Sequence, residues 1–163
     1  MAKTEKTHAM RVLDAKGIAY SATVYDASGT FHSGEDAAAI VGALPDGVYK
    51  TLVVLREASP RARPLMVMVA SNAQVDLKLL AAAIGEKKLR MATQREAEQL
   101  TGMQVGGISA LALHRPTFDI LLDEAARSLD RIHVSAGARG VDIELRVEDL
   151  VMVTNARFVR ATT

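Results

Sequence analysis

Apolar residues change their spacing along this chain, and the changes separate helices from strands. Over residues 4–16, Ala9, Met10 and Leu13 recur at helical intervals, and Gly17 stands where such a helix would end. Ile18 to Tyr25 turns β-branched and aromatic and predicts a strand. A loop follows over Asp26 to His32, with Ser28-Gly29 as its turn signal. Ser33 reads as a helix N-cap with Asp36 three residues on, and Ala37, Ile40, Val41 and Leu44 then share one face before Pro45-Asp46-Gly47. Val48 to Leu55 is apolar at both alternations, the mark of a strand covered on both sides. Pro64 to Ala70 is a second such run, and the short connection through Arg56 to Arg63 predicts an antiparallel pair.

The second half repeats the alternation. Asp76 caps a helix whose stripe is Leu77, Leu80, Ala81 and Ile84, closed by Gly85. Thr93 and Glu96 form a capping box for a helix that Gly102 ends. Ile108 to Leu113 and Phe118 to Asp123 predict strands around a turn at His114-Arg115-Pro116. Arg131 to Ala136 and Val141 to Leu145 flank Gly137 to Gly140 as a hairpin, the second strand alternating apolar and acidic as a half-exposed strand does. Glu148 opens a last short helix, and Ala156 to Val159 a closing strand. The expected fold is α/β of the α+β type: a mixed, strongly curved, barrel-like sheet of about seven strands flanked by helices. At 163 residues the chain is expected to form one domain, 1–163.

Composition narrows the chemistry. Aromatics are 4% and Trp is absent, so an aromatic platform for single-stranded bases is not expected. A net charge of +1 is too small for a broad nucleic-acid surface, though not for a protein that grips one end of a nucleic acid. With no Cys, disulfides, thiolate metal sites and a thiol nucleophile are excluded. His8, His32, His114 and His133 show no metal-ligand spacing. No apolar run reaches the roughly 20 residues of a membrane span, and the charged first residues lack a signal-peptide core, so a cytoplasmic location is the expectation.

Three features invite chemistry. Leu100 to Leu111 carries Gly106-Gly107, which reads either as a tight turn or as one wall of a small-ligand pocket. Lys50 reads either as an exposed strand end or as a cation set at a pocket mouth to meet an anion. Tyr25 covers the core edge or reaches a pocket rim. Phosphate-loop, dinucleotide and nucleophile-elbow signatures are missing, and neither Ser109 nor Ser135 has an identifiable His partner. An enzyme built this way would work by positioning and backbone donors.

Four blocks in order, Val48-Tyr49-Lys50-Thr51-Leu52, Asp76-Leu77-Lys78, Thr101 to Ser109, and Val134 to Gly140 with Asp142-Ile143-Glu144-Leu145, resemble the YbaK/EbsC family. That family comprises free-standing aminoacyl-tRNA deacylases and the editing domain of bacterial prolyl-tRNA synthetases. The resemblance implies hydrolysis of the ester joining a wrong amino acid to the 3′ end of a tRNA, such as Cys-tRNA(Pro), Cys-tRNA(Cys) or a tRNA carrying Ala or Ser. It implies Lys50, Gly106 and Gly107 as catalytic residues, and Tyr25, Ser33, Ile108, Ser109, Ser135, Gly137 and Asp142 as substrate-binding residues. Lys50 would meet the terminal phosphate, and the glycines the ester carbonyl. It implies no metal and no organic cofactor; the substrate's own thiol or a bound water stands in for a protein nucleophile. The implied partners are the mischarged acceptor end and, to supply tRNA specificity, prolyl-tRNA synthetase. Ala110 departs from the family wording, which commonly places Pro there. The alternative function is a binding module that holds the aminoacyl-tRNA end or a nucleotide without hydrolysis.

Overall fold

A computed structural model of the chain describes residues 6–25, 38–39, 42–113 and 117–163. The expected loop over Asp26 to His32, the cap at Ser33 with most of the helix after it, and the turn at His114-Arg115-Pro116 lie outside these residues.

Among the described residues the chain forms four helices and eight strands. The helices are α1 (His8–Ala15), α2 (Leu77–Ile84), α3 (Gln94–Thr101) and α4 (Val147–Thr154). The strands are β1 (Ser21–Val24), β2 (Tyr49–Arg56), β3 (Leu65–Ala70), β4 (Leu89–Met91), β5 (Asp119–Asp123), β6 (Arg131–Ser135), β7 (Val141–Arg146) and β8 (Arg157–Val159). The helix ends follow local chemistry. Asp76 accepts from the Leu79 N–H at 3.0 Å, and Thr93 and Glu96 cap each other reciprocally. Arg90 grips both oxygens of Glu96 at 2.8 Å, holding that carboxyl down at about 2. Gly85 and Gly102 end α2 and α3 in the left-handed region.

The single barrel-like sheet is not what forms. Strands β1-β7-β6 make an antiparallel sheet of three, and β4-β2-β3-β5-β8 a mixed sheet of five. One parallel bridge, Val48 to His133, joins them among the described residues. The reason lies on one edge of β2: β4 pairs with its last residues, Val54 to Arg56, while β6 bridges only to the residue before its start. Neither partner runs the length of that edge, so the sheets meet at a seam and do not close.

Strand β3 is buried at every position, and its alternation divides the core. Met66, Met68 and Ala70 enter a large cluster shared with Ile132, Val134, Ile143 and Leu145 of the smaller sheet. Leu65, Val67 and Val69 face the other way, under Leu80 and Ala81 of α2. Each large apolar side chain buried so contributes about 1.5–3 kcal/mol.

Other expectations shift. Ile108 to Leu113 is not a strand: Ser109 accepts from the Leu111 N–H at 3.1 Å and draws Ala110–Ala112 into a 3₁₀ turn. The strand over Ile18 to Tyr25 shortens to β1, an edge strand exposed at all four positions. Leu44, expected on a buried helix face, is exposed as it leads into the Pro45–Gly47 turn. In β7 the acidic positions do not face water in the half-exposed manner expected, because Asp142 is buried.

Asp123, also buried, accepts from the Ala161 N–H at 2.9 Å, the Thr162 N–H at 3.2 Å and the Thr162 hydroxyl at 2.9 Å. Ala161 in turn accepts from the N–H of the α2 cap, Asp76. Asp123→Ala strands these buried donors and is expected to lower unfolding stability by about 2–3 kcal/mol, seen as a lower urea midpoint.

Candidate functional site

The seam between the sheets gathers the polar residues. In β6 and β7, His133 pairs with Glu144 and Ser135 with Asp142. Side chains alternate across a strand, so these four share one face while Ile132, Val134, Ile143 and Leu145 enter the core. The bridge from Val48 to His133 is parallel and isolated, and Lys50 lies two residues beyond it, on the side of β2 that Val48 also presents. Lys50 lies in β2 opposite Val69, and its ammonium reaches the Ser71 carbonyl at 3.5 Å.

The glycine stretch closes over this face. It is a turn, one of the two forms its sequence allows. The Gly107 N–H donates to the Gln104 carbonyl at 2.9 Å, and Gly106 sits at φ +96°. A Cβ on Gly107 would lie 2.6 Å from the Arg139 nitrogen and 2.7 Å from the Ala138 carbonyl carbon, so glycine is required by backbone packed against backbone. A Cβ on Gly106 would stand 3.3 Å from Arg139 Nε. Ser135 ties the two parts together, its hydroxyl donating to the Gly106 carbonyl at 3.2 Å. Glu98 of α3 secures the loop from behind by accepting from the Val105 N–H at 2.9 Å.

His133 is held from both sides, with Nδ1 2.6 Å from Asp142 and Nε2 3.0 Å from Glu144. The Asp142 hydrogen bond raises the His133 pKa, Glu144 adds to it, and burial opposes both. With both ring nitrogens engaged by carboxylates, His133 is not placed as a base for Ser135. Tyr25 follows β1 and donates its N–H to the Gly140 carbonyl at 2.8 Å. Burial raises its phenol pKa and the Asp142 charge adds to this, while Arg139 counteracts them.

The structure therefore brings together Gly106, Gly107, Ser135, Asp142 and Tyr25, while Lys50 stands near the start of β2, two residues from the bridge to β6. Gly137, at φ +96°, packs beneath them, where a Cβ would meet that of Ala112 at 2.9 Å. Ile108 and Ser109 are buried in the loop's root, and the Ser109 hydroxyl caps the 3₁₀ turn. Ser33 lies outside the described residues. Sequence reasoning missed His133, Glu98 and Arg139. The signal for His133 was the His-x-Ser and Asp-x-Glu pairs, which a tight hairpin sets opposite each other. Among the described residues no group of three or more His, Asp or Glu is arranged to hold a metal, and no helix is long and apolar enough to cross a membrane.

Residues 29–153 match the family described as the aminoacyl-tRNA editing domain. The chain belongs to that family, the YbaK/EbsC aminoacyl-tRNA editing domains. A proposed Cys-tRNA(Pro)/Cys-tRNA(Cys) deacylase, EbsC of Enterococcus faecalis, is 33% identical over 159 residues, covering 98% of this chain and 94% of that protein. The hypothetical protein APE2540 shares the fold with a TM-score of 0.83 at 22% identity, over 96% of this chain and 99% of its own. A proposed trans-editing enzyme for prolyl-tRNA synthetase does so at 0.78 and 22%, over 98% and 99%.

Two outcomes test the packing. Gly107→Ala forces the 138–139 backbone aside and is expected to cost about 1–3 kcal/mol by urea unfolding, whereas Gly47→Ala, with open space around it, is expected to cost far less. Because the His133 pKa is raised in the folded state, its stabilisation is complete below about pH 6.5 and is lost as pH rises through the raised value. The urea midpoint of wild type is expected to fall over that window, and His133→Gln to flatten the fall.

Proposed function

We propose that this member of the editing-domain family hydrolyses the aminoacyl ester of mischarged tRNA, with Cys-tRNA(Pro), Cys-tRNA(Cys) or a tRNA bearing Ala or Ser as the substrate class. The observation that carries this reading is the position of Lys50. It is a cation among apolar neighbours near the start of β2, two residues past the bridge from Val48 to His133 at the seam between the sheets. A point charge on a long stem suits the phosphate of the terminal nucleotide.

In this reading the glycine turn supplies backbone groups to the ester. The Gly107 N–H is committed to Gln104, so the Gly106 and Ile108 N–H groups are the ones to approach the ester carbonyl. Gly107 acts through its missing Cβ, by letting the turn settle onto the 138–139 backbone. Ser135 keeps the Gly106 carbonyl turned away from the ester oxygen, which its negative end would repel. Tyr25 and Asp142 border the amino-acid side. No protein nucleophile is required. With a cysteinyl ester, the substrate sulfur bonds to the carbonyl carbon, the bond to the ribose oxygen breaks, the thiol proton ends on that oxygen, and water then opens the resulting cyclic thioester to free cysteine. With other amino acids a water attacks in the same place. A prolyl-tRNA synthetase partner would supply the tRNA selectivity that a net charge of +1 provides weakly.

A deacylation screen of tRNA(Pro) and tRNA(Cys) carrying Cys, Ala, Ser and Thr tests the reading. Wild type is expected to release at least one amino acid, and Lys50→Ala to lose about 10²-fold or more in kcat/KM with its urea midpoint unchanged. Full activity in that variant would remove Lys50 from the mechanism. Tight tRNA binding without turnover across the panel would make the protein a binding module.

A further inference from the structure

One face of the five-stranded sheet carries positive charge at both ends. Alternation along β2 puts Lys50 and Arg56 on the same side, about 20 Å apart at roughly 3.3 Å per residue. Helix α2 covers the stretch between them, packing on Val54, Val67 and Leu121. It presents Lys78 to solvent and is followed by the exposed Lys87. Beyond its last residue, Ile84, lies a cleft of about 630 Å³. Arg56, Arg63, Asp119 and Arg157 line this cleft.

The charges there are not equivalent. Arg56 is neutralised by Glu86 at 2.9 Å and Asp119 at 2.6 Å, so it braces the wall. Arg63 and Arg157 are exposed, and among the described residues neither is in a salt bridge; the same holds for Lys78 and Lys87. The cleft lies at the Arg56 end of β2, about 20 Å along the strand from Lys50. Ala110 lines it too, which puts that departure from the family wording on this side of the turn.

We propose that this face docks the sugar-phosphate backbone of the substrate RNA, with Lys50 at the esterified end and Arg63 and Arg157 on phosphates of the acceptor stem. The inference rests on the ester-hydrolysis reading of the Lys50 site. About 20 Å is the length of some six stacked nucleotides at ~3.4 Å each, which carries the chain from the terminal adenosine past the unpaired tail and into the duplex. Lys78 and Lys87 lie along the way. The excess charge is local, so a chain with a net charge of only +1 still offers the RNA one favourable path.

The test uses the full chain, the double variant Arg63→Gln/Arg157→Gln, and two cysteinyl probes. One is a minihelix with the acceptor stem and 3′ tail of tRNA(Pro); the other is the trinucleotide CCA. On the minihelix the double variant is expected to raise KM on the order of ten-fold with kcat unchanged, and to reduce the salt slope of binding by roughly two. On the trinucleotide it is expected to match wild type. Equal KM and equal salt slope on the minihelix would overturn the inference while leaving the ester reading intact. Loss of synthetase binding with RNA binding unchanged would also overturn it and make the face a protein interface. If wild type turns over neither probe but the variant still loses salt-dependent minihelix binding, the docking surface stands and the ester reading fails.

Discussion

The site depends on one close approach, Gly107 against the backbone of Ala138 and Arg139. Two turns more than thirty residues apart in sequence lie so close that a single methyl group would collide with main-chain atoms. Main chain gives way at a much higher cost than a side-chain tip, so this contact fixes a distance. Everything polar at the seam is measured from it. Ser135 reaches the Gly106 carbonyl because the turn has settled this far, and Arg139 is laid across Gly106 for the same reason. Glu98 then holds the loop against sliding from the far side.

Local chemistry was legible in the sequence wherever a few neighbouring residues decide the outcome. The caps at Asp76 and Thr93, the left-handed stops at Gly85 and Gly102, and the antiparallel β2–β3 pair all form as their residues dictate. Closure was not legible. Short connections reveal which strands pair in hairpins, but whether two edges meet depends on how β4 and β6 divide one edge of β2. The stretch after Gly107 failed for a similar reason: its apolar residues satisfy a strand pattern, and one hydroxyl on Ser109 is enough to turn it into a 3₁₀ segment.

The candidate site was legible in part. Lys50 stood out because a charge in a core strand needs a reason, and Gly106-Gly107 because two flexible residues mark a turn or a close approach. The structure makes the pair both, although what approaches Gly107 is the chain's own backbone. The acidic positions of β7 misled because alternation reports which residues share a face and not what lies above it. Here the occupant is His133, which turns an outward-looking row of carboxylates into a partly enclosed cluster.

That cluster limits how the protein can drift. His133 stands between two carboxylates, and Asp142 is buried with it. Replacing the histidine alone leaves two carboxyl groups without the ring between them, while replacing one acid leaves the ring half held. The three positions are therefore coupled. A lineage that changes one needs a compensating change at another, and the intermediate is handicapped at the hairpin's inner face. The hairpin can vary freely at its exposed Arg131 and Arg146, whereas its inner face is expected to change in concert or stay as it is.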